Sequence, residues 1–180
     1  MSILRARIIL AGEPTTGKTQ IINQLSKGSF NHNYMMTQGC EYTVKDIQLE
    51  KEHATVELHL LDIAGQNIFK EISLELLSKA NMQVLVYDAT SQESFHALRQ
   101  WLELIKQKNN GRNLPGVVIA NKMDMEHRIA VNPQDGAQFA QSLGFEFFEV
   151  SAAKSQNIEE TFKAVAQMYY GKYEERIQGL

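Results

Sequence analysis

Apolar and polar positions along this chain fall into two alternating rhythms. Short continuous apolar runs recur, each bounded by turn residues: Ile8-Ile9-Leu10, Val84-Leu85-Val86-Tyr87 and Val117-Val118-Ile119-Ala120. Runs of this kind read as strands buried on both faces, as in a parallel sheet. Val56-Glu57-Leu58-His59-Leu60 instead alternates apolar with polar, which suits a half-buried strand nearer a sheet edge. The charged segment Glu50-Lys51-Glu52-His53 precedes it and turns an earlier strand, about Gly39 to Leu49, back on itself. A sixth strand is expected over Phe145 to Val150.

Between the strands the period lengthens to three and four. Ile21, Ile22 and Leu25 follow the first strand; Phe95, Leu98, Trp101, Leu102 and Ile105 mark a second helix with one buried face. Ile158, Phe162, Val165 and Tyr169 mark a third near the C-terminus. Strand alternating with helix predicts an α/β fold, a mostly parallel six-stranded sheet with helices on both faces. The aromatic and methionine residues on these faces read as core packing. No repeat, low-complexity block or linker divides the chain, so residues 1–180 are expected to form one domain. The last helical pattern continues through Tyr173 and Ile177, past about residue 172.

Composition narrows the class. Hydrophobic residues make up 43% and charged residues 22%, enough for a packed core and against disorder. Eighteen basic against 21 acidic residues give a net charge of −3, with no global pull on nucleic acid or an anionic membrane. The lone cysteine, Cys40, cannot form an internal disulfide, which favours a reducing, cytoplasmic setting and an inert thiol. The apolar run Ile8 to Ala11 is too short for a signal peptide. The five histidines show no metal-ligand spacing. Ser2 and a C-terminus without cysteine argue against myristoylation and prenylation, so no lipid anchor is expected.

The chemistry concentrates in two loops. Gly12-Glu13-Pro14-Thr15-Thr16-Gly17-Lys18-Thr19 fits G-x-x-x-x-G-K-[ST] between a buried strand and a helix. Its glycines let backbone N–H groups wrap phosphates, and the helix aims its positive end at them. Lys18 would reach the β- and γ-phosphates, and the Thr19 hydroxyl would bind Mg²⁺. This loop indicates a nucleoside triphosphate without specifying the base. Asn121-Lys122-Met123-Asp124 stands at the carboxyl end of another buried strand, where such folds bind ligands. A carboxylate there accepts two hydrogen bonds from the N1–H and 2-amino group of guanine, a pair adenine lacks. Ser151-Ala152-Ala153 follows the sixth strand and offers a backbone N–H toward the guanine O6. A nucleotide kinase would share the first loop, but it has no use for N-K-x-D.

These segments resemble the Ras-like small GTPases over about residues 4 to 172. Thr37 lies eighteen residues after Thr19 and Phe30 eleven after it; Gln66 lies fifty-five before Asn121. Those are the family's spacings for the switch threonine, a base-stacking aromatic and the catalytic glutamine. The segment Tyr34 to Tyr42 looks like the Rab form of the first switch, and Asp62-Ile63-Ala64-Gly65-Gln66 like the second. The resemblance implies GTP or GDP with Mg²⁺. It assigns catalysis to Gln66, Lys18 and Thr37, and metal binding to Thr19, Thr37 and Asp62. Nucleotide contacts are implied for Gly12, Thr15, Thr16, Gly17, Lys18, Thr19, Gln20, Phe30, Thr37, Gly65, Asn121, Lys122, Asp124, Ser151, Ala152 and Ala153. Departures from the Rab pattern are Pro14 for a glycine, Leu61 for a tryptophan, Asn67 for a glutamate and Ala153 for a lysine. Neither switch segment holds an arginine, so slow hydrolysis is expected.

Softer phrases, Ile9 to Pro14, Val56 to Asp62, Leu114 to Val117 and the tail Tyr169 to Glu175, resemble the Rab-like GTPases of intraflagellar transport. That resemblance implies a ciliary or flagellar location. It also implies a heterodimer with a β-sandwich subunit like intraflagellar transport protein 25, within a larger transport complex. Exchange and activating proteins would regulate it. A conventional vesicle-trafficking Rab is the competing reading.

Overall fold

Why the first strand is longer than its apolar run becomes clear once its neighbours are in place. In the computed structural model, which describes residues 2–31, 37, 40–63 and 78–179, β1 spans Ser2–Ala11. Its second half is buried throughout, whereas its first half alternates exposed Ile3, Arg5 and Arg7 with buried Leu4 and Ala6. Only one face of that half is covered, so the expected strand at Ile8 to Ala11 begins six residues early. The hairpin forms as the charges at 50–53 indicate: β2 (Cys40–Leu49) and β3 (Ala54–Ile63) run antiparallel. His53 takes the left-handed backbone that closes the turn, with φ 49°.

With β4 (Met82–Asp88), β5 (Gly116–Asn121) and β6 (Glu146–Glu149), the described strands form one six-stranded sheet ordered β2-β3-β1-β4-β5-β6. All pairs other than the hairpin are parallel. The alternating strand is β3, one place in from the edge, as its pattern predicts. β6 is shorter than expected, although Val150 N–H still donates to Ala120 O at 2.8 Å.

Successive side chains on each central strand feed opposite cores. Ile8, Leu10, Val84, Val86, Val117 and Ile119 face α1 (Lys18–Lys27) and the long C-terminal helix. Ile9, Leu85, Tyr87 and Val118 face α2 (Gln92–Lys108) and α3 (Pro133–Ser142). Ser91 caps α2, accepting from Ser94 N–H at 3.2 Å. The expected stripe of α2 is present, with Leu98 and Ile105 fully buried and Phe95, Trp101 and Leu102 packed at its margin. The C-terminal helix, α4, spans Ile158–Gln178. Its first half buries Ile158, Phe162, Val165 and Ala166, and Tyr169 Oη donates to Arg5 O at 2.7 Å. From Lys172 on the helix is exposed, with Tyr173 39% and Ile177 50% exposed.

α3 had no counterpart among the expected elements. Its apolar face is reduced to Phe139 and Ala140 because Gly136 lies against the sheet. A Cβ there would meet Tyr87 Oη and the Phe147 ring, so a larger residue would force the helix outward.

Candidate functional site

The expected site residues that the structure describes gather at the carboxyl end of the parallel strands, in the loops leaving them and in the first turn of α1, with Phe30 and Thr37 between α1 and β2. Gly12 to Gly17 leaves β1, Asp62 is near the end of β3, Asn121 ends β5, and Ser151 follows β6. This is the edge where open α/β sheets bind ligands.

The loop after β1 is held by its own side chains. Thr16 Oγ1 donates to Glu13 O at 2.9 Å. Lys18, in the first turn of α1, donates through Nζ to Gly12 O at 2.8 Å and Glu13 O at 2.9 Å. Burial pulls the Lys18 ammonium down to about 8, against the charges of Asp62 and Glu13, which favour its protonated form. A desolvated cation over a ring of backbone groups at a helix N-terminus is suited to phosphate. Gly17 has φ 96° and packs so closely that a Cβ would strike Asn121 Nδ2. Both facts confine that position to glycine.

Three oxygen donors converge beside the lysine. Thr19 Oγ1 lies 2.8 Å from Thr37 Oγ1 and donates to Asp62 Oδ2. Asp62 is 2% exposed, its Oδ1 makes no hydrogen bond among the described residues, and burial raises its carboxyl above the usual range. Two hydroxyls and a carboxylate with an orphaned oxygen form a donor set for a hard cation. The residues fit Mg²⁺.

The remaining loops are pinned to the first by Asn121, which is 1% exposed. Its Nδ2 donates to Thr16 O at 2.8 Å, and its Oδ1 accepts from Ala152 N–H at 3.1 Å. One amide therefore joins the loops after β1, β5 and β6. Ser151 Oγ donates to Asp124 Oδ1 at 2.6 Å and accepts from Lys154 N–H at 3.1 Å. The expected base-reading carboxylate and the Ser-Ala-Ala loop are thus one unit. Lys122 sits at φ 67° with Nζ 2.6 Å from Asp88 Oδ2. Gln20 Oε1 accepts from Asn31 N–H at 2.9 Å, next to Phe30, which is partly buried against the first core. Thr15 and Ala153 are exposed. Gly65 and Gln66 lie outside the described residues.

Four supporting residues escaped the sequence reading. Asp88 holds Lys122 while accepting from Thr90 N–H at 2.8 Å and Thr90 Oγ1 at 2.7 Å. Gln24 Nε2 donates to Ala152 O at 2.7 Å. Trp101 Nε1 donates to Glu13 Oε1 at 3.0 Å. Asp88 had a signal, a carboxylate ending a buried apolar strand; Gln24, Trp101 and Glu13 had none.

Comparison with known proteins agrees with this geometry. The Ras family model matches residues 7–170. The intraflagellar transport protein 27 homolog of Mus musculus is 36% identical over 176 residues, covering 97% of this chain and 95% of its own. Intraflagellar transport protein 27 of Chlamydomonas reinhardtii is 33% identical over 180 residues, covering 97% and 88%. The Ras-related protein Rab-13 of Canis lupus familiaris is 32% identical over 161 residues, covering 89% and 78%. With the family match running from the first strand into the last helix, the chain belongs to the Ras family and is a Ras-like GTPase.

Proposed function

We propose that this GTPase is a slow, guanine-specific switch that serves as a Rab-like subunit of an intraflagellar transport assembly. The observation that carries the switch reading is the convergence of Thr19, Thr37 and Asp62 beside Lys18. A threonine from the first switch segment, the phosphate-loop threonine and the strand-end aspartate meet at one point.

In this reading Asp124 accepts from the guanine edge, held in place by Ser151. The N–H groups of the phosphate loop bind the phosphates, and Phe30 flanks the base. Thr19, Thr37 and Asp62 would hold Mg²⁺, which when bound supplies positive charge against the β- and γ-phosphate oxygens. Lys18 leaves its two carbonyl acceptors for phosphate oxygens. Gln66 orients a water whose oxygen bonds to the γ-phosphorus as the bond to the β-phosphate oxygen breaks, giving GDP and inorganic phosphate. Loss of that phosphate removes what Thr37 and Gly65 grip, which resets the switch. With no arginine in either switch segment, neither segment brings a guanidinium to the charge developing on the transferring group. Turnover is then far below one per second, as is typical without the 10³–10⁵-fold contribution of an arginine finger. Pro14 adds a ring and removes an N–H beside the same phosphates.

The transport role is supported by the near full-length likeness to proteins named for intraflagellar transport. In that role the chain would work in a cilium or flagellum, paired with a β-sandwich subunit like intraflagellar transport protein 25. No helix among the described residues is long and apolar enough to cross a membrane. Mass spectrometry of proteins co-purified with the native chain tests the role. Recovery of a β-sandwich partner with larger transport subunits is expected. Recovery of vesicle-tethering factors in their place would refute it and favour a trafficking Rab.

A further inference from the structure

Trp101 stands in the middle of α2, far from the loops in sequence, yet its indole N–H donates to the Glu13 carboxylate at 3.0 Å. Indole has one donor and no acceptor, so this bond satisfies its whole polar capacity. Trp101 is partly buried against the core that holds Leu98 and Ile105, which fixes the ring. Glu13 is used twice. Its side chain takes the indole, while its main-chain oxygen accepts from both Lys18 Nζ and Thr16 Oγ1. The residue that anchors the phosphate-loop lysine is thus itself anchored to a helix on the other side of the sheet.

We infer that the Trp101–Glu13 hydrogen bond is a positioning tether that holds the first half of the phosphate loop and slows nucleotide release. The inference rests on the nucleotide-binding reading above and names a determinant of that site's exchange rate. Charge alone makes the opposite prediction. Glu13 is a carboxylate close enough to Lys18 to raise its proton affinity, so it also repels phosphate. Deleting it should tighten nucleotide if its charge were what mattered, and loosen nucleotide if its hydrogen bond is. The sign of the effect separates the two.

The test follows release of N-methylanthraniloyl-GDP from the full chain, chased with excess GDP. W101F removes the donor and keeps a ring in the core. E13A removes the acceptor, and E13Q removes the charge while keeping an acceptor oxygen. W101F and E13A should each speed release about tenfold, which corresponds to 1.4 kcal/mol. Their double variant should be no faster than either single one, because both delete the same bond. E13Q should release no faster than wild type. Trp101 is the only tryptophan, so its emission maximum should shift in E13A and stay put in E13Q. Slower release in E13A, unchanged release in both single variants, or additive effects in the double would overturn the tether. A wild-type chain that binds no guanine nucleotide would instead overturn the reading of the site.

Discussion

Replacing Asn121 by alanine separates what the site's loops owe to one another from what they owe to a ligand. The side chain is 1% exposed and makes two hydrogen bonds, to Thr16 O and from Ala152 N–H. Thr16 and Ala152 are themselves 1% and 2% exposed, so water has little access to the groups left behind. A buried group stranded this way costs about 1–3 kcal/mol, so the pair costs about 2–6 kcal/mol. A domain of this size loses about 2–4 °C of melting temperature per kcal/mol, which predicts a fall of roughly 5–20 °C. Total stability of such domains is about 5–15 kcal/mol, so the variant should still fold in the cold. The reference is Asn132→Ala, which removes an exposed cap donating nothing to the site: among the described residues Asn132 Oδ1 accepts from Gln134 N–H at 3.0 Å. A lost cap costs about 1 kcal/mol. Thermal unfolding by circular dichroism, without and with saturating GDP, reads both variants. Asn121→Ala should melt well below Asn132→Ala without nucleotide and gain less from GDP than wild type does. A loss no larger than that of the cap variant would refute the view that one amide clamps three loops.

Asp124→Asn exchanges an acceptor for a donor opposite the guanine amino group. It should weaken GDP and GTP at least about tenfold while xanthine nucleotides gain; undiminished GTP affinity in a titration of both bases would sink this assignment. Gln66→Leu should lower an already slow single-turnover release of phosphate and leave nucleotide affinity nearly unchanged, because the glutamine acts chiefly in the transition state. Equal rates would make Gln66 idle. Burial, with the carboxylates of Asp62 and Glu41 adding to it, pushes the Cys40 thiol up to about 11. Fewer thiolates form at any pH below that value, so iodoacetamide at neutral pH should react with it more than about tenfold slower than with free cysteine. A rate matching free cysteine would contradict the burial argument. Ending the chain after Lys172 removes the exposed turns bearing Tyr173 and Ile177 and should weaken binding of the transport partner but not of GDP. Full partner binding by the shortened chain would show that those turns are no docking surface.

The parts of this fold that were legible in the sequence are those where burial is complete. Val84 to Tyr87 and Val117 to Ala120 are covered on both faces, so every residue is apolar and the strand announces itself. Ile3 to Arg7 is covered on one face only. Its exposed arginines fall beside β3, where Arg5 Nε meets Glu57 Oε1 at 3.1 Å. That pairing depends on a strand more than fifty residues away, so the local pattern could not reveal it. α3 was missed for a different reason. Close packing against Tyr87 and Phe147 requires glycine at 136, which removes the apolar residue that would have marked the face. The remaining signal was a cap: Asn132 followed by Pro133 at the first helical position.

The site divides along the same line. Residues that meet a nucleotide must occupy fixed places in short loops, because phosphate and base recognition set the spacing; hence Lys18, Thr19 and Asp124 can be read from motifs. Residues that hold those loops need only reach them, from any element the fold brings near. Asp88 reaches Lys122 from β4, Gln24 reaches Ala152 from α1, and Trp101 reaches Glu13 from α2. None shares a spacing with its target. Asn121 is the exception that joins both classes, since it belongs to N-K-x-D and also clamps Thr16 and Ala152. Its place in the motif is therefore explained by the protein's own loops before any ligand is considered. Among the described residues Asp124 accepts one hydrogen bond, from Ser151, and its carboxylate can accept more from a base. Two residues of one tetrad thus answer to different demands, Asn121 to the fold and Asp124 to the guanine edge, which is why their substitutions should fail in different assays.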